Sequence, residues 1–140
     1  MIYRRSIPVE FNHCDPAGIV FYPRYFEMVN SVVENFFREV AGHSYAAMMA
    51  AQEGVPTARL EVDFHAPSRL GELLDWRLRV TKLGGSSVGF TVEAWCGDSH
   101  RVTARPVLVW VAAGRAKPWP DGIRARLAAF AETGGEAEDA

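Results

Sequence analysis

The sequence predicts an α+β domain in which one long helix lies beside an antiparallel sheet of five strands. Apolar residues recur at helical spacing through residues 25–40, where they fill one contiguous arc. Further along, residues 59–65, 74–81 and 88–94 alternate apolar and polar side chains, as strands with one buried face do. Because glycine-containing turn signals separate the later strands, we expect hairpin connections and antiparallel pairing.

The chain opens with a strand and then a loop that resists regular structure. Residues 2–11 alternate in the manner of a strand, and Pro8 indicates an edge strand or an irregular start because proline has no N–H. In the loop that follows, Pro16 disfavours helical backbone angles at Asp15. Gly18 permits a turn that other residues resist.

Two helices should follow this loop. The main helix is predicted over residues 23–41 and ends at Gly42, in the way that helices commonly end. Ser44 can cap a second, shorter helix over residues 45–53, which Gly54 closes. The wide, aromatic apolar arc of the main helix favours packing against the sheet.

The last predicted strand covers residues 101–113. Its second half, residues 107–111, is apolar on both faces, so it either lies at the sheet centre or meets a partner chain. Pro106 predicts a bulge there. A short helix is expected over residues 121–130. The domain prediction is thus one domain over residues 1–130 with a disordered acidic tail over residues 131–140.

Composition excludes several classes of function. The formal net charge of −2 gives no global attraction to nucleic acid or to anionic membranes. No apolar run approaches the roughly 20 residues that span a bilayer, and no secretory signal follows the basic N-terminal residues. The cysteines Cys14 and Cys96 lack metal-ligand spacing, and we expect a reducing, cytoplasmic setting.

Asp15 is the main candidate for chemistry. It lies in a constrained loop directly before a helix N-terminus, which offers unpaired N–H groups and a partial positive charge. From the residues alone two interpretations stand. Asp15 either serves the loop as an Asx-turn or cap, or acts as an ionised carboxylate in a reaction.

Residues 13–26, HCDPAGIVFYPRYF, resemble the signature of the hotdog-fold acyl-CoA thioesterases and lie closest to the 4-hydroxybenzoyl-CoA thioesterase family. Residues 55–57 and the hairpin at 84–87 match that family in pattern only, so the resemblance covers about residues 5–113. It implies a hotdog fold, in which a five-stranded antiparallel sheet wraps around one long helix.

The resemblance also implies roles for the loop residues. Asp15 would attack the thioester or act as general base on water, and the backbone N–H of Tyr22 would bind the developing oxyanion. Gly18 would let the loop approach the substrate, and His13 would hydrogen-bond near the site. A Cys14–His13 pair is disfavoured because adjacent residues point in different directions along an extended chain.

Substrate contacts are implied further along. Asn30 occupies the place of a carboxylate that holds the phenol end of 4-hydroxybenzoyl-CoA, so that substrate is put in doubt. Glu34 could substitute for it, although an ion pair with Arg38 is the expected alternative. Lys82 and Ser86, at the hairpin where the family has a basic cluster, would contact coenzyme A phosphates.

The predicted function is hydrolysis of an acyl-CoA. The cluster of Phe21, Tyr22, Tyr25 and Phe26 has two interpretations: it either receives an aromatic acyl group or belongs to the core. The alternatives are a short-chain acyl-CoA or acyl-carrier-protein thioesterase and a non-catalytic acyl-CoA-binding protein. No metal site is expected, since His65 has no companions at ligand spacing. No cofactor is expected either, because coenzyme A is part of the substrate. The resemblance implies self-association as a dimer or tetramer.

Overall fold

The computed structural model describes residues 1–133, with side chains through residue 131. Helix α1 spans Arg24–Phe36 and continues as a π-helical turn, Phe37–Ala41. Helix α2 is Tyr45–Ala50, and helix α3 is Asp121–Thr133. The long helix predicted over residues 23–41 is confirmed, but its last turn is wider than the periodicity indicates. Gly42 ends it with a φ of 76°, a left-handed conformation that glycine adopts without penalty.

The five strands of the main sheet are β1 Tyr3–Pro8, β3 Thr57–Phe64, β4 Leu73–Leu83, β5 Ser87–Cys96 and β6 Ser99–Val109. They pair in the order β1-β4-β5-β6-β3, and every pairing is antiparallel. The predicted five-stranded antiparallel sheet is therefore confirmed, and Pro8 does lie on an edge strand. A second small sheet was not predicted; it joins β2 Glu53–Gly54, β7 Val111–Ala112 and β8 Arg115–Ala116.

The core lies between α1 and the concave face of the sheet. Tyr25, Val32 and Phe36 on the apolar arc of α1 are buried, as are Trp76 on β4 and Phe90 on β5. Each such side chain contributes about 1.5–3 kcal/mol on burial. Helix α3 closes one end of this layer, where the ring of Phe130 meets that of Phe36 edge-on at 5.1 Å. The sheet thus curls around one long helix, as predicted.

The last strand differs from its prediction. Strand β6 ends at Val109, and the chain then turns into the small sheet at Val111. It is an inner strand, between β5 and β3, which explains its doubly apolar second half. The bulge predicted at Pro106 is wrong in position, because the register shifts along β6 fall at Arg101 in its pairing with β5 and between Thr57 and Arg59 in its pairing with β3.

The C-terminal helix is longer than predicted. Residues 131–133 belong to α3, so the predicted disordered tail does not begin at residue 131. The rest of that tail, residues 134–140, lies outside the described residues. Among the helices that the structure describes, none is long and apolar enough to cross a membrane.

Candidate active site

The loop between β1 and α1, residues 9–23, is named here the Asp15 loop. It folds as a tight hairpin, in which Cys14 and Val20 form an antiparallel bridge. At its tip the Asp15 N–H donates to the Ile19 carbonyl at 3.0 Å, and the Gly18 N–H donates to the Asp15 carbonyl at 2.9 Å. Gly18 has a φ of 79°, so this turn requires the freedom of glycine. The predicted turn role of Gly18 is confirmed, and its role toward substrate stays a prediction.

The Asp15 carboxylate has one engaged oxygen and one without a partner. Oδ1 accepts the Ala17 N–H at 2.9 Å, which is the Asx-turn that sequence alone offered as an alternative. Within the described residues nothing donates to Oδ2. One oxygen therefore orients the carboxylate while the other can face a reactant.

The start of α1 supplies a donor. Helix α1 begins at Arg24, and its N-cap, Pro23, offers no side-chain hydrogen bond. In the described part of the chain the Tyr22 N–H has no acceptor, whereas the neighbouring Phe21 N–H donates to the His13 carbonyl at 2.9 Å. An N–H without a partner at a helix N-terminus can stabilise a developing negative charge.

Aromatic rings surround that donor. Tyr22 meets Phe21 at 5.6 Å and Phe64 at 6.0 Å, both edge-on, and Phe64 lies 5.8 Å from Tyr25. Phe21, Tyr22 and Phe64 are each about half exposed. Tyr22 and Phe64 border a cleft of about 290 Å³, which is lined by Ile19, Val20, Tyr22, Tyr25, Phe64, His65, Ala66 and Pro67. The rings thus offer an open apolar surface beside the Tyr22 N–H.

His13 is engaged locally. Its Nδ1 accepts the Glu10 N–H at 2.9 Å and so closes the short 3₁₀ turn Phe11–His13. The same ring lines a separate cleft between β1 and α1, together with Arg5 and Glu27. This arrangement gives His13 a structural role in shaping the Asp15 loop, and its predicted contact with substrate stays a prediction.

Asn30 lies where two adjoining clefts meet on the exposed flank of α1. The two clefts have volumes of about 390 and 240 Å³, and Asn30, Tyr45 and Thr57 line both of them. The Asn30 amide donates to Glu34 Oε1 at 3.3 Å. The alternative Glu34–Arg38 ion pair is wrong, since Arg38 contacts other residues of its own helix. Burial, and then the charge of Glu34, raise the pKa of Tyr45.

Lys82 and Ser86 lie at the opposite end of β4 from the Asp15 loop. An eleven-residue strand spans roughly 35 Å, so one chain does not bring these residues to Asp15. The Ser86 carbonyl accepts the Trp110 N–H at 2.7 Å. Their predicted contact with coenzyme A phosphates stays a prediction.

The sequence did not predict a partly buried ion pair between Arg101 and Glu72. Arg101 is 8% exposed, and its guanidinium donates to both carboxylate oxygens of Glu72, at 2.6 and 3.2 Å. These hydrogen bonds from Arg101 lower the pKa of Glu72 to about 2. The two residues lie 29 positions apart, so no local pattern pairs them. The only feature of the sequence that draws attention to this pair is that the last predicted strand begins with an arginine, Arg101.

His65 makes no metal centre with its neighbours. Its Nε2 lies 2.9 Å from the Thr103 hydroxyl, which also lies 3.0 Å from Nε2 of His100. Among the described residues, no group of three His, Cys, Asp or Glu side chains could hold a metal ion.

Comparison with known proteins places these features in a family. The family model described as the thioesterase superfamily matches residues 17–103. The acyl-CoA thioester hydrolase YbgC of Escherichia coli is 24% identical over 108 residues, which is 77% of this chain and 80% of YbgC. The family match begins two residues after Asp15, so the role of Asp15 stays a prediction.

Solved structures show the same fold. The 1,4-dihydroxy-2-naphthoyl-CoA thioesterase Slr0204 from Synechocystis superposes with a TM-score of 0.83 at 18% identity, covering 91% of this chain and 96% of that one. Staphylococcus aureus SAV2348, solved in complex with CoA, gives 0.88 at 12% identity, covering 94% and 85%. The predicted hotdog fold is confirmed, as is the prediction of a thioester hydrolase. Because the family match spans more than half of the chain, this protein belongs to the thioesterase superfamily.

Proposed function

We propose that this protein hydrolyses acyl-CoA thioesters, with Asp15 as the reactive carboxylate and the Tyr22 N–H as the oxyanion donor. The observation that carries the proposal is the pairing of a free Asp15 oxygen with a free N–H at the start of α1, both on one loop. The family, and the name of its relative YbgC as an acyl-CoA thioester hydrolase, support the substrate class.

The chemistry needs only these groups and water. Asp15 Oδ2 either attacks the thioester carbonyl carbon or takes a proton from a water that attacks it. The carbonyl oxygen becomes an oxyanion that the Tyr22 N–H stabilises. The carbon–sulfur bond then breaks and the thiolate of coenzyme A leaves. If Asp15 acted as base, the acid is now formed, and the proton that Asp15 took from water passes to the thiolate. If Asp15 attacked, the acyl group is left on Asp15 as a mixed anhydride, which water hydrolyses to release the acid, restore the carboxylate and supply the thiolate's proton. One water is consumed, the products are a free acid and coenzyme A, and no cofactor is required.

The acyl group is proposed to run from Tyr22 along the exposed flank of α1. Phe26 and Asn30 are four residues apart and therefore lie on one helix face, and both line the smaller cleft. Its lining is mainly apolar, and the pair of Asn30 with Glu34 offers polar groups toward the end of an aromatic acyl group. The name of the structural neighbour Slr0204, an aromatic acyl-CoA thioesterase, agrees with that choice.

Self-association is proposed through strand β3. This strand is an edge of the main sheet, and nearly all of its eight residues are exposed, including Leu60 and Phe64 on the face that turns toward the helix. Exposed edges of this length are usually covered by another strand or chain. A mass in solution of two or four times the 15.5 kDa of one chain is expected.

The free thiols of Cys14 and Cys96 support a reducing compartment, and we place the reaction in the cytoplasm.

The test is release of free thiol from a panel of acyl-CoAs: benzoyl, 4-hydroxybenzoyl, phenylacetyl, and short and long straight chains. We expect an aromatic thioester to turn over best. Asp15→Asn should lower kcat by at least about a hundredfold. Asp98→Asn, in an exposed turn, is the matched control and should leave kcat unchanged. An Asp15→Asn variant that equals wild type would overturn the assignment.

The second candidate, a non-catalytic acyl-CoA-binding protein, is favoured by one observation. The Asx-turn of Asp15 gives that residue a structural role without any reaction. A folded wild type that binds acyl-CoA in calorimetry but releases no thiol from any panel member would select this candidate. Preference for short straight chains would instead select a short-chain thioesterase.

A further inference from the structure

The segment between β3 and β4, residues 65–72, runs beneath the Asp15 loop and is named here the strap. Its backbone is joined to that loop by four hydrogen bonds of 2.8–3.1 Å. These bonds are Val20 N–H to Ser68, Leu70 N–H to Gly18, Gly71 N–H to Val9, and Val9 N–H to Glu72. Ile19 and Arg69 also form an antiparallel bridge. The position of the Asp15 hairpin is therefore set by the position of the strap.

Arg101, on the inner strand β6, holds the strap at both ends. At its start, the Arg101 carbonyl accepts the His65 N–H at 2.8 Å, and the guanidinium donates to the Pro67 carbonyl at 3.0 Å. At the end of the strap, the Arg101 guanidinium donates to both carboxylate oxygens of Glu72. Glu72 Oε1 also accepts the Arg69 N–H at 2.7 Å, so the carboxylate fixes the middle of the strap as well.

We propose that Arg101 and Glu72 are positioning residues for the thioesterase site, holding the Asp15 loop at the spacing that the reaction requires. The inference rests on the proposed function of Asp15. Neither residue lines the clefts beside Tyr22 and Asn30, so neither touches the substrate in this account. A planar guanidinium with two parallel bonds fixes both distance and angle, which a single-point lysine contact does not.

The geometry predicts a specific kinetic signature. A loop displaced by a fraction of an ångström still admits substrate, but the reacting atoms are no longer aligned. Loss of the pair should therefore lower kcat and leave KM nearly unchanged. A purely structural role would lower the melting temperature and leave the kcat of the folded enzyme unaltered.

The experiment compares Glu72→Gln, Arg101→Lys and Arg101→Met with wild type in the full chain. The matched control is Arg105→Met, which removes an arginine four residues after Arg101 on the same strand; Arg105 forms an exposed pair with Asp63 at 3.2 Å. Melting temperature, kcat and KM are measured for each variant well below its melting temperature. Amide hydrogen exchange at Val20 and Leu70 reports whether the strap still holds the loop.

We expect kcat to fall about tenfold or more in Arg101→Met and about threefold in Glu72→Gln, with KM within about twofold. Exchange at Val20 and Leu70 should accelerate in both variants and stay unchanged in Arg105→Met. Unaltered kcat in folded Glu72→Gln and Arg101→Lys overturns the inference, even if Arg101→Met does not fold. If wild type hydrolyses nothing, the proposed function fails, and unaltered exchange would then separately overturn the positioning role.

Discussion

The two ends of strand β4 carry two turn-rich regions, and they differ in which of their polar groups form hydrogen bonds. At one end, the Asp15 loop leaves a carboxylate oxygen and the Tyr22 N–H without partners among the described residues. At the other, the glycine hairpin is capped by tryptophan and arginine donors. The proposed reaction uses the first end, whereas hydrogen bonds from distant parts of the chain stabilise the second end.

The hairpin end shows this most clearly at Trp119. Its backbone N–H donates to the Gly85 carbonyl and its indole N–H to the Ser87 carbonyl, both at 3.0 Å. The ring is 3% exposed and stacks on Phe37. By contrast, Phe11 at the other end is 83% exposed.

The largest expected effect is that of Trp119→Ala. Loss of the buried ring and of the indole hydrogen bond to the Ser87 carbonyl should lower the free energy of unfolding by about 3–5 kcal/mol. Phe11→Ala, the control, should change it by less than about 0.5 kcal/mol. Urea unfolding measures both. A Trp119→Ala variant as stable as Phe11→Ala would contradict the division between the two ends.

The next effect is a loss of stability in acid that depends on Glu72. The folded pKa of this group is about 2, below its ordinary 4.5, because Arg101 donates to its carboxylate. A depressed pKa contributes stability above the unfolded pKa, and this contribution disappears as the pH falls from about 4.5 toward about 2. The difference in unfolding free energy between wild type and Glu72→Gln should therefore shrink over that window. A difference that is constant with pH would refute the pairing.

A smaller effect is expected from two glycine substitutions, whose comparison distinguishes a cost in stability from a loss of kcat. Gly18 and Gly114 have φ values of 79° and 78°, and a Cβ added at either would meet nothing within 4 Å. Gly18→Ala and Gly114→Ala should each cost about 1–2 kcal/mol from the left-handed backbone alone. Only Gly18→Ala should lower kcat, because only Gly18 lies in the Asp15 loop. Equal kcat in the two variants would sink this prediction.

The smallest effect is expected for Lys82. If a second copy brings its hairpin to the site, Lys82→Gln should raise the KM for acyl-CoA about threefold by removing a phosphate contact. Hydrolysis of the corresponding acyl-pantetheine, which lacks the nucleotide phosphates, should not change. A KM that stays the same for both substrates would remove Lys82 from the binding surface.

Local features of the fold were predictable from the sequence. The helical spacing of residues 25–40 and the stop at Gly42 both depend on neighbours along the chain, and both were found. Ser44 caps α2 as predicted, its hydroxyl accepting the Ala47 N–H at 3.1 Å. Alternation likewise located strands β3, β4 and β5 of the sheet.

Other features depend on partners distant in sequence. The strands of the small sheet are two residues long, too short to carry a period of two. The Arg101–Glu72 pair joins two loop-flanking positions that meet only through the sheet order. At the site, the motif at residues 13–26 led to the prediction of Asp15 and Tyr22, but the sequence did not show that Lys82 and the Asp15 loop lie at opposite ends of β4, because that depends on the pairing of β1 with β4.

The most direct test of the account is the amide chemical shift of Tyr22 during titration with a ketone analogue of benzoyl-CoA. This analogue keeps the carbonyl oxygen but places a methylene between carbonyl and sulfur, so it is not hydrolysed. The account predicts that the Tyr22 amide proton shows the largest downfield shift on binding, and that coenzyme A alone leaves it unchanged. A Tyr22 amide that stays in place while other amides report binding would contradict the oxyanion site.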